Sequence, residues 1–280
     1  VPDTVWNADG PNRIWSGNNV DLLKAIPDGA ITLAYLDPPF NTGRVQTRKT
    51  STATASSEGS RSGFGGRKYD LTLEKLLSYD DTFADYWGFL FPRLEEVWRT
   101  LSDRGTLYLH LDWREVHYAK VALDMVFGRD SFLNEIIWAY DYGGKTKRKW
   151  PTKHDTILVY VKNPDTYIFN SDEIDREPYM APGLVGPEKA ARGKLPTDVW
   201  WHTIVSPTGK EKTGYATQKP LGILRRIIQA SSHPGDWVLD PFGGSGTTAH
   251  AAALLDRKFV VMDSHPDAID VMRQRLKPYL

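Results

Sequence analysis

The chain is predicted to fold as an α/β domain built on a mostly parallel sheet. Apolar, β-branched runs recur along its 280 residues and alternate with amphipathic stretches of helical length. Two of these runs end in loops rich in proline or glycine, Asp37-Pro38-Pro39-Phe40 and Asp240-Pro241-Phe242-Gly243-Gly244-Ser245-Gly246-Thr247-Thr248. Loops at the carboxyl ends of buried strands are where open α/β sheets hold their ligands.

The predicted strands are Arg13–Ser16, Ile31–Leu36, Thr106–Leu111, Glu135–Tyr140, Thr156–Val161, Trp237–Asp240 and Phe259–Met262. The predicted helices are Phe83–Leu101, Arg114–Phe127, Pro220–Ser231, Thr247–Leu255 and Pro266–Leu276. No helix-length stretch separates the runs around Trp138 and Val159, so these are expected to form an antiparallel pair. Asp80 and Asp81, before Thr82-Phe83, and Asp112, before Trp113, are expected as helix caps. Residues 44–70 are rich in Ser, Thr, Gly and cations and are expected to be a mobile loop. Residues 163–214 are Pro-rich and polar, carry Trp200 and Trp201, and are expected to be an insert. The division expected is therefore 1–162, then the insert 163–214, then 215–280 completing the first part.

Composition excludes several classes. Thirty-five basic residues balance 35 acidic ones, so a surface for nucleic acid has to be local. There is no cysteine, hence no disulfide, thiol nucleophile or cysteine zinc site. No apolar run is long enough to span a membrane, and Val1-Pro2-Asp3-Thr4 does not open a signal segment. The expectation is a soluble cytoplasmic enzyme. No His/Asp/Glu cluster has metal-ligand spacing, so the expected metal content is none.

The first loop suits a planar base bearing an exocyclic amine. Such an amine is a poor nucleophile because its lone pair is delocalised into the ring. Asp37 offers a carboxylate and Pro38 a carbonyl to accept its two protons, and neither proline has an N–H to compete. Phe40 offers a face for a base to stack on.

The second loop suits a nucleoside cofactor. Gly243, Gly244 and Gly246 permit a tight turn and close backbone approach, and Thr247 and Thr248 can cap the helix that follows. Asp263, at the end of the next strand, can accept from both ribose hydroxyls. Gly244-Ser245-Gly246-Thr247-Thr248-Ala249 also matches a dinucleotide fingerprint. Only 17 residues follow Asp263, too few for a second mononucleotide half. That favours a sulfonium methyl donor over NAD. Lys145, Lys147, Arg148 and Lys149, beside Trp150, and Arg44, Arg48 and Lys49 are the expected phosphate contacts. His110 and His265 are read as structural at least as readily as functional.

With both motifs in view, the chain resembles the DNA amino-methyltransferases in which the catalytic motif precedes the cofactor motif. The resemblance rests on Leu36-Asp37-Pro38-Pro39-Phe40-Asn41-Thr42-Gly43, Lys153-His154-Asp155-Thr156-Ile157-Leu158-Val159-Tyr160, Gly214-Tyr215-Ala216-Thr217-Gln218-Lys219-Pro220, the Asp240–Thr248 loop and Asp263, in that order. It implies a Rossmann-like, seven-stranded sheet, circularly permuted against the ordinary methyltransferase order. It implies S-adenosylmethionine as cofactor and double-stranded DNA as substrate, with the base flipped out. Asp37, Pro38, Pro39 and Phe40 then form the amine site. Asp240, Phe242, Gly243, Gly244, Gly246, Thr247 and Asp263 hold the cofactor, and Thr217, Lys219 and Pro220 close over its methionine end. The insert would read the DNA sequence. Aspartate at position 37 favours adenine N6. Cytosine N4 is the alternative, as is a DNA-binding member without catalysis. The same resemblance allows a homodimer and a cognate restriction endonuclease as partners. Ser264-His265-Pro266 and the stretch after Gly43 depart from the family pattern.

Overall fold

A computed structural model describes residues 6–42, 44–55, 61–62, 68–81, 85–142, 145–206, 209, 211–215 and 217–280, with the backbone alone for the stretch 44–81. In chain order the elements are β1 (Arg13–Ser16), α1 (Asn19–Leu23), β2 (Ile31–Leu36), β3 (Arg44–Ala55), β4 (Arg61–Ser62), β5 (Lys68–Asp81), α2 (Tyr86–Thr100), β6 (Leu101–Leu111), α3 (Val116–Phe127), β7 (Phe132–Ala139), β8 (His154–Val161), α4 (Pro187–Arg192), β9 (Val199–Trp201), α5 (Leu221–Ser231), β10 (Trp237–Asp240), α6 (Thr247–Leu254), β11 (Lys258–Asp263) and α7 (Pro266–Leu276).

The main sheet has eight strands in the order β1-β11-β10-β2-β6-β8-β7-β9. Strand β8 runs antiparallel to both β6 and β7, and every other pairing is parallel. The expected antiparallel pair is therefore present, in a Rossmann-like sheet. The eighth strand is the correction to the seven expected. It is β9, three residues of the insert paired with β7 through Ile137–Val199, Trp138–Trp200 and Ala139–Trp201. Three residues are too short a run to show a period in sequence.

Side chains alternate across the sheet as period two requires. In β11, Val260 and Met262 face one layer while Phe259 and Val261 face the other. The first layer is built with α1, α2 and α3 through Leu23, Leu90, Val97, Ala119 and Leu123. The second uses α5, α6 and α7 through Leu224, Ile228, Ala252, Ile269 and Met272. Strand β2 breaks the alternation once: Ile31 and Leu33, two apart, face opposite layers, and a register shift falls between them. The result is three layers with a sheet buried on both faces, as parallel sheets require.

One stretch differs from expectation. In place of an irregular loop, residues 44–81 carry a separate three-stranded sheet, with β3 antiparallel to β5 from Arg44–Asp81 to Ala55–Tyr69. The residues of 44–70 between those strands lie outside the described residues. Threonines at 47, 50, 52 and 54 favour strand, a signal that the count of small and charged residues concealed. Asp80 and Asp81 accordingly end β5, and the cap of α2 is Asp85, which accepts from Gly88 N at 2.8 Å. The stretch 163–214, expected as an insert, is docked against α5. The Asn170 side-chain amide donates to the Gln229 and Ser232 carbonyls, and Arg226 of α5 pairs with Glu177 at 2.7 Å.

The first and last elements meet. Strand β1 pairs with β11, Asn12 Nδ2 donates to the Tyr279 carbonyl at 2.8 Å, and Asn12 Oδ1 accepts from Phe259 N at 2.9 Å. The sheet's interior sets its stability. Leu33, fully buried in β2 under α5, should cost about 2–5 kcal/mol on replacement by alanine, read as a lowered urea midpoint with unchanged slope.

Candidate active site

Strands β2 and β10 are neighbours, yet the chain leaves them in opposite directions across the sheet: β2 leads through α2 to β6, and β10 through α6 to β11. The crevice between their carboxyl ends is the switch point of the fold. A cleft of about 840 Å³ opens there, and Asp37, Asp240 and Asp263 all line it.

On the β2 side, the prolines stop the strand and the turn is anchored. The Tyr86 hydroxyl donates to the Pro39 carbonyl at 2.8 Å. No hydrogen bond reaches the Pro38 carbonyl among the described residues. Lys219 Nζ lies 2.8 Å from Asp37 Oδ2 and 5.0 Å from the centre of the Phe40 ring. The other carboxylate oxygen, Asp37 Oδ1, is buried without a hydrogen-bond partner among the described residues.

The lysine is held by its segment. Gln218 Oε1 accepts from Thr213 N and Oγ1, its Nε2 donates to the Glu211 carbonyl, and Glu211 Oε2 accepts from Leu221 N. The segment expected to lie over a cofactor thus also reaches across to the amine site. Thr217 and Lys219 line the cleft, whereas Pro220 stands behind it as the N-cap of α5.

On the β10 side, Gly243 is enforced by packing. A Cβ there would come within 2.2 Å of Val261 Cγ2 and 2.7 Å of Met272 Sδ. Gly244 and Gly246 have φ of +49° and +71°. Gly246 is the N-cap of α6 and lies outside the cleft wall, so it shapes the loop from behind. The threonines do not cap as expected. Thr247 Oγ1 accepts from Arg275 NH1 at 2.9 Å and contacts Ser245 Oγ, while Thr248 bonds to Asp240. Asp263 Oδ2 accepts from Gly244 N at 2.9 Å and Oδ1 from His265 N at 2.8 Å, with the Ser264 backbone also bonded to the carboxylate, which fixes it at the cleft wall. His265 itself is the cap of α7. A nucleoside fits this set: Asp263 for hydroxyls, the Gly243-Gly244 turn for close approach, and Phe242 and Tyr215 as walls.

Sequence reading missed the brace beneath Pro241. Asn19 Nδ2 donates to its carbonyl at 2.8 Å, and Arg93 Nε donates to Asn19 Oδ1 at 2.6 Å. Neither residue belongs to a motif, and their contact exists only after α1 and α2 have packed. The cations expected to meet phosphate divide in two. Lys145, Lys147, Arg148 and Lys149 are exposed on the β7–β8 connection, at the same carboxyl edge as the cleft. Arg44, Arg48 and Lys49 lie on β3, and their side chains are outside the described residues.

Asp240 is buried, and its Oδ1 accepts from Phe242 N at 2.9 Å. Burial, with repulsion from Asp37 and Asp263, pushes its carboxyl from 3.8 up to about 7. The folded state therefore binds a proton more tightly than the unfolded one, so this group's contribution to stability declines as pH rises between those limits. Asp240→Asn keeps an acceptor for Phe242 N and cannot ionise. Wild-type stability relative to this variant should fall as pH is raised from about 4 towards 7 in urea titrations. Parallel pH curves would place the titration elsewhere.

A family model described as DNA methylase, spanning N6 and N4 methyltransferases, matches residues 31–274. Over 265 residues the chain is 31% identical to the type II methyltransferase M.HpaI of Haemophilus parainfluenzae, covering 94% of this chain and 74% of that protein. It is 29% identical over 268 residues to the DNA adenine methyltransferase YhdJ of Escherichia coli (strain K12), covering 93% and 81%. The fold matches the crystal structure of the M1.HpyAVI–SAM complex with a TM-score of 0.57 at 20% identity, over 94% of this chain and 98% of that one. With the matched span running from β2 to α7 and so enclosing both walls of the cleft, the chain belongs to the N6/N4 DNA methylase family.

Proposed function

We propose that this DNA methyltransferase uses S-adenosylmethionine to methylate adenine N6 in double-stranded DNA, acting on a base rotated out of the helix. One observation carries the assignment of the amine site. A nitrogen donor, the Lys219 ammonium, already sits against Asp37 Oδ2 and over Phe40, at 2.8 Å and 5.0 Å. A base stacked on Phe40 would present its amine to the same oxygen in place of Lys219, with the Pro38 carbonyl as second acceptor. Accepting both amino protons draws the nitrogen out of conjugation.

Bound S-adenosylmethionine supplies an electrophilic methyl group on a positively charged sulfur. The residues that would hold it are Asp263, Phe242, Tyr215 and Thr217, with the Gly243-Gly244 turn allowing its close approach. The positive charge moves from sulfur to the amine nitrogen during transfer, so fixed carboxylates and carbonyls around that nitrogen matter more than a strong base. Asp240 lines the cleft beneath the loop and supports it through Phe242 N.

Adenine is favoured by the aspartate at position 37, and YhdJ, an adenine methyltransferase, is among the relatives. The exposed cations at 145, 147, 148 and 149 would contact phosphate, and the docked insert 163–214 would read sequence. An insert this short favours a homodimer. The type II designation of M.HpaI supports a restriction endonuclease of matching specificity. No helix among the described residues is long and apolar enough to cross a membrane, and a DNA substrate suits a cytoplasmic enzyme.

Asp37→Ala should lower methyl transfer at least on the order of 10²–10³-fold with cofactor affinity nearly unchanged, whereas Asp263→Ala should weaken cofactor binding first. Radiolabelled transfer and calorimetry measure the two, and near-full activity of Asp37→Ala would refute the amine site. Digesting the modified DNA to nucleosides should release N6-methyl-2′-deoxyadenosine. N4-methyl-2′-deoxycytidine would instead establish the cytosine reading, and neither transfer nor cofactor binding would leave a DNA-binding protein of this fold.

A further inference from the structure

The buried groups that this chemistry leaves unused stand directly behind Asp37. His110, near the end of β6, is fully buried. Its Nδ1 lies 2.7 Å from the Tyr35 hydroxyl and 3.8 Å from Asp37 Oδ1. Its Nε2 lies 3.3 Å from Asp155 Oδ2, and the Tyr140 hydroxyl donates to Asp155 Oδ1 at 3.0 Å. Asp155 belongs to the Lys153–Tyr160 segment, which no role has so far absorbed.

The protonation pattern follows from the neighbours. Burial, reinforced by the charges of Asp37, Asp240 and Asp155, keeps Tyr35 protonated. Where its O–H donates to Nδ1, a neutral imidazole carries its proton on Nε2, towards Asp155. That state leaves Asp37 Oδ1 buried without a donor, an unfavourable arrangement. A second proton, on Nδ1, would face two acceptors at once, the tyrosine oxygen and Oδ1. Asp155 would balance the resulting imidazolium from the other side. A doubly protonated His110 would thus be flanked by the Tyr35 oxygen at 2.7 Å, Asp37 Oδ1 at 3.8 Å and Asp155 Oδ2 at 3.3 Å.

We propose that His110 is a positioning residue that receives, through Asp37, the proton released by the methylated amine, with Asp155 as its counter-charge. This rests on the assignment of Asp37 to the amine site. After methylation the amine nitrogen carries four bonds and a positive charge. An N–H bond breaks, its electron pair stays on nitrogen, and the proton forms an O–H bond on Asp37. A half-turn of the carboxyl about Cβ–Cγ, a torsion with two equivalent wells, carries that O–H to the His110 side. The Tyr35 hydroxyl rotates away, the proton bonds to the Nδ1 lone pair, and Asp37 is a carboxylate again. His110 stores the proton while product fills the cleft and returns it through Asp37 to water once product leaves. The groups facing His110 are Tyr35 and Asp37 from β2 and its turn, Asp155 from β8, Tyr140 after β7 by way of Asp155, and Lys219, the opposing cation that the amine displaces.

The test is the single-turnover rate of methyl transfer across pH for the wild type, Asp155→Asn and His110→Gln, with cofactor and DNA affinities measured alongside. Both variants should slow transfer about 10²-fold while binding stays within about three-fold. Asp155→Asn should also alter the dependence of rate on pH, a readout that a merely structural role would leave unchanged. It retains a hydrogen-bond acceptor for Tyr140, so it guards against misfolding of the His110 variant. Wild-type rates and pH curves in both variants, with Asp37→Ala inactive, would overturn the relay alone. Loss of rate matched by loss of binding and of thermal stability would make the cluster structural. Near-full activity of Asp37→Ala would instead overturn the amine site itself.

Discussion

Everything at this site depends on the adjacency of β2 and β10. Their parallel pairing, Val238 with Leu33 and Leu239 with Ala34, brings two strand ends together from opposite parts of the chain. Each ends in an aspartate, and β11 adds a third. Three carboxylates at one sheet edge repel each other, and the structure handles each differently. Asp37 is paired with Lys219, Asp263 is held by backbone N–H groups, and Asp240 is buried with its carboxyl pushed up to about 7. The negative field that remains suits a cationic methyl donor, and its strength follows from low local dielectric and fixed dipoles.

The two walls of the cleft are rigid for different reasons. The Pro-Pro turn is stiff by covalent geometry and is tied to Tyr86. The glycine loop is stiff by lack of space, with Val261 and Met272 packed where a Cβ would stand. Between them lies Lys219, its ammonium 2.8 Å from Asp37 Oδ2, where the proposed amine would bind. A site with fixed walls binds with little reorganisation of backbone.

Much of this was legible in the sequence. The strand and helix runs were readable because period two and period 3.6 are long-lived signals, and β1, β2, β10 and α7 fall on their predicted spans. The two ligand loops were readable because their residue types are chemically unusual and contiguous. What was not legible depends on contacts between distant segments. Lys219 on Asp37 arises from the fold of 211–220, and Tyr35, His110 and Asp155 meet only because β2, β6 and β8 are successive neighbours in the sheet. His110 in isolation looked like any core histidine. The β3–β5 hairpin was hidden by a composition that also describes loops, and β9 by its brevity.

The bonds of Asn12 to Tyr279 and Phe259 carry a consequence for ancestry. Because β1 lies against β11, the succession of segments closes into a ring, and the order of the two ligand loops records only where that ring is opened. Selection acting on the cleft is blind to that choice, for it sees the neighbours in space and not the numbering. Gene rearrangement can therefore shuffle the motifs of such an enzyme without asking its chemistry to change.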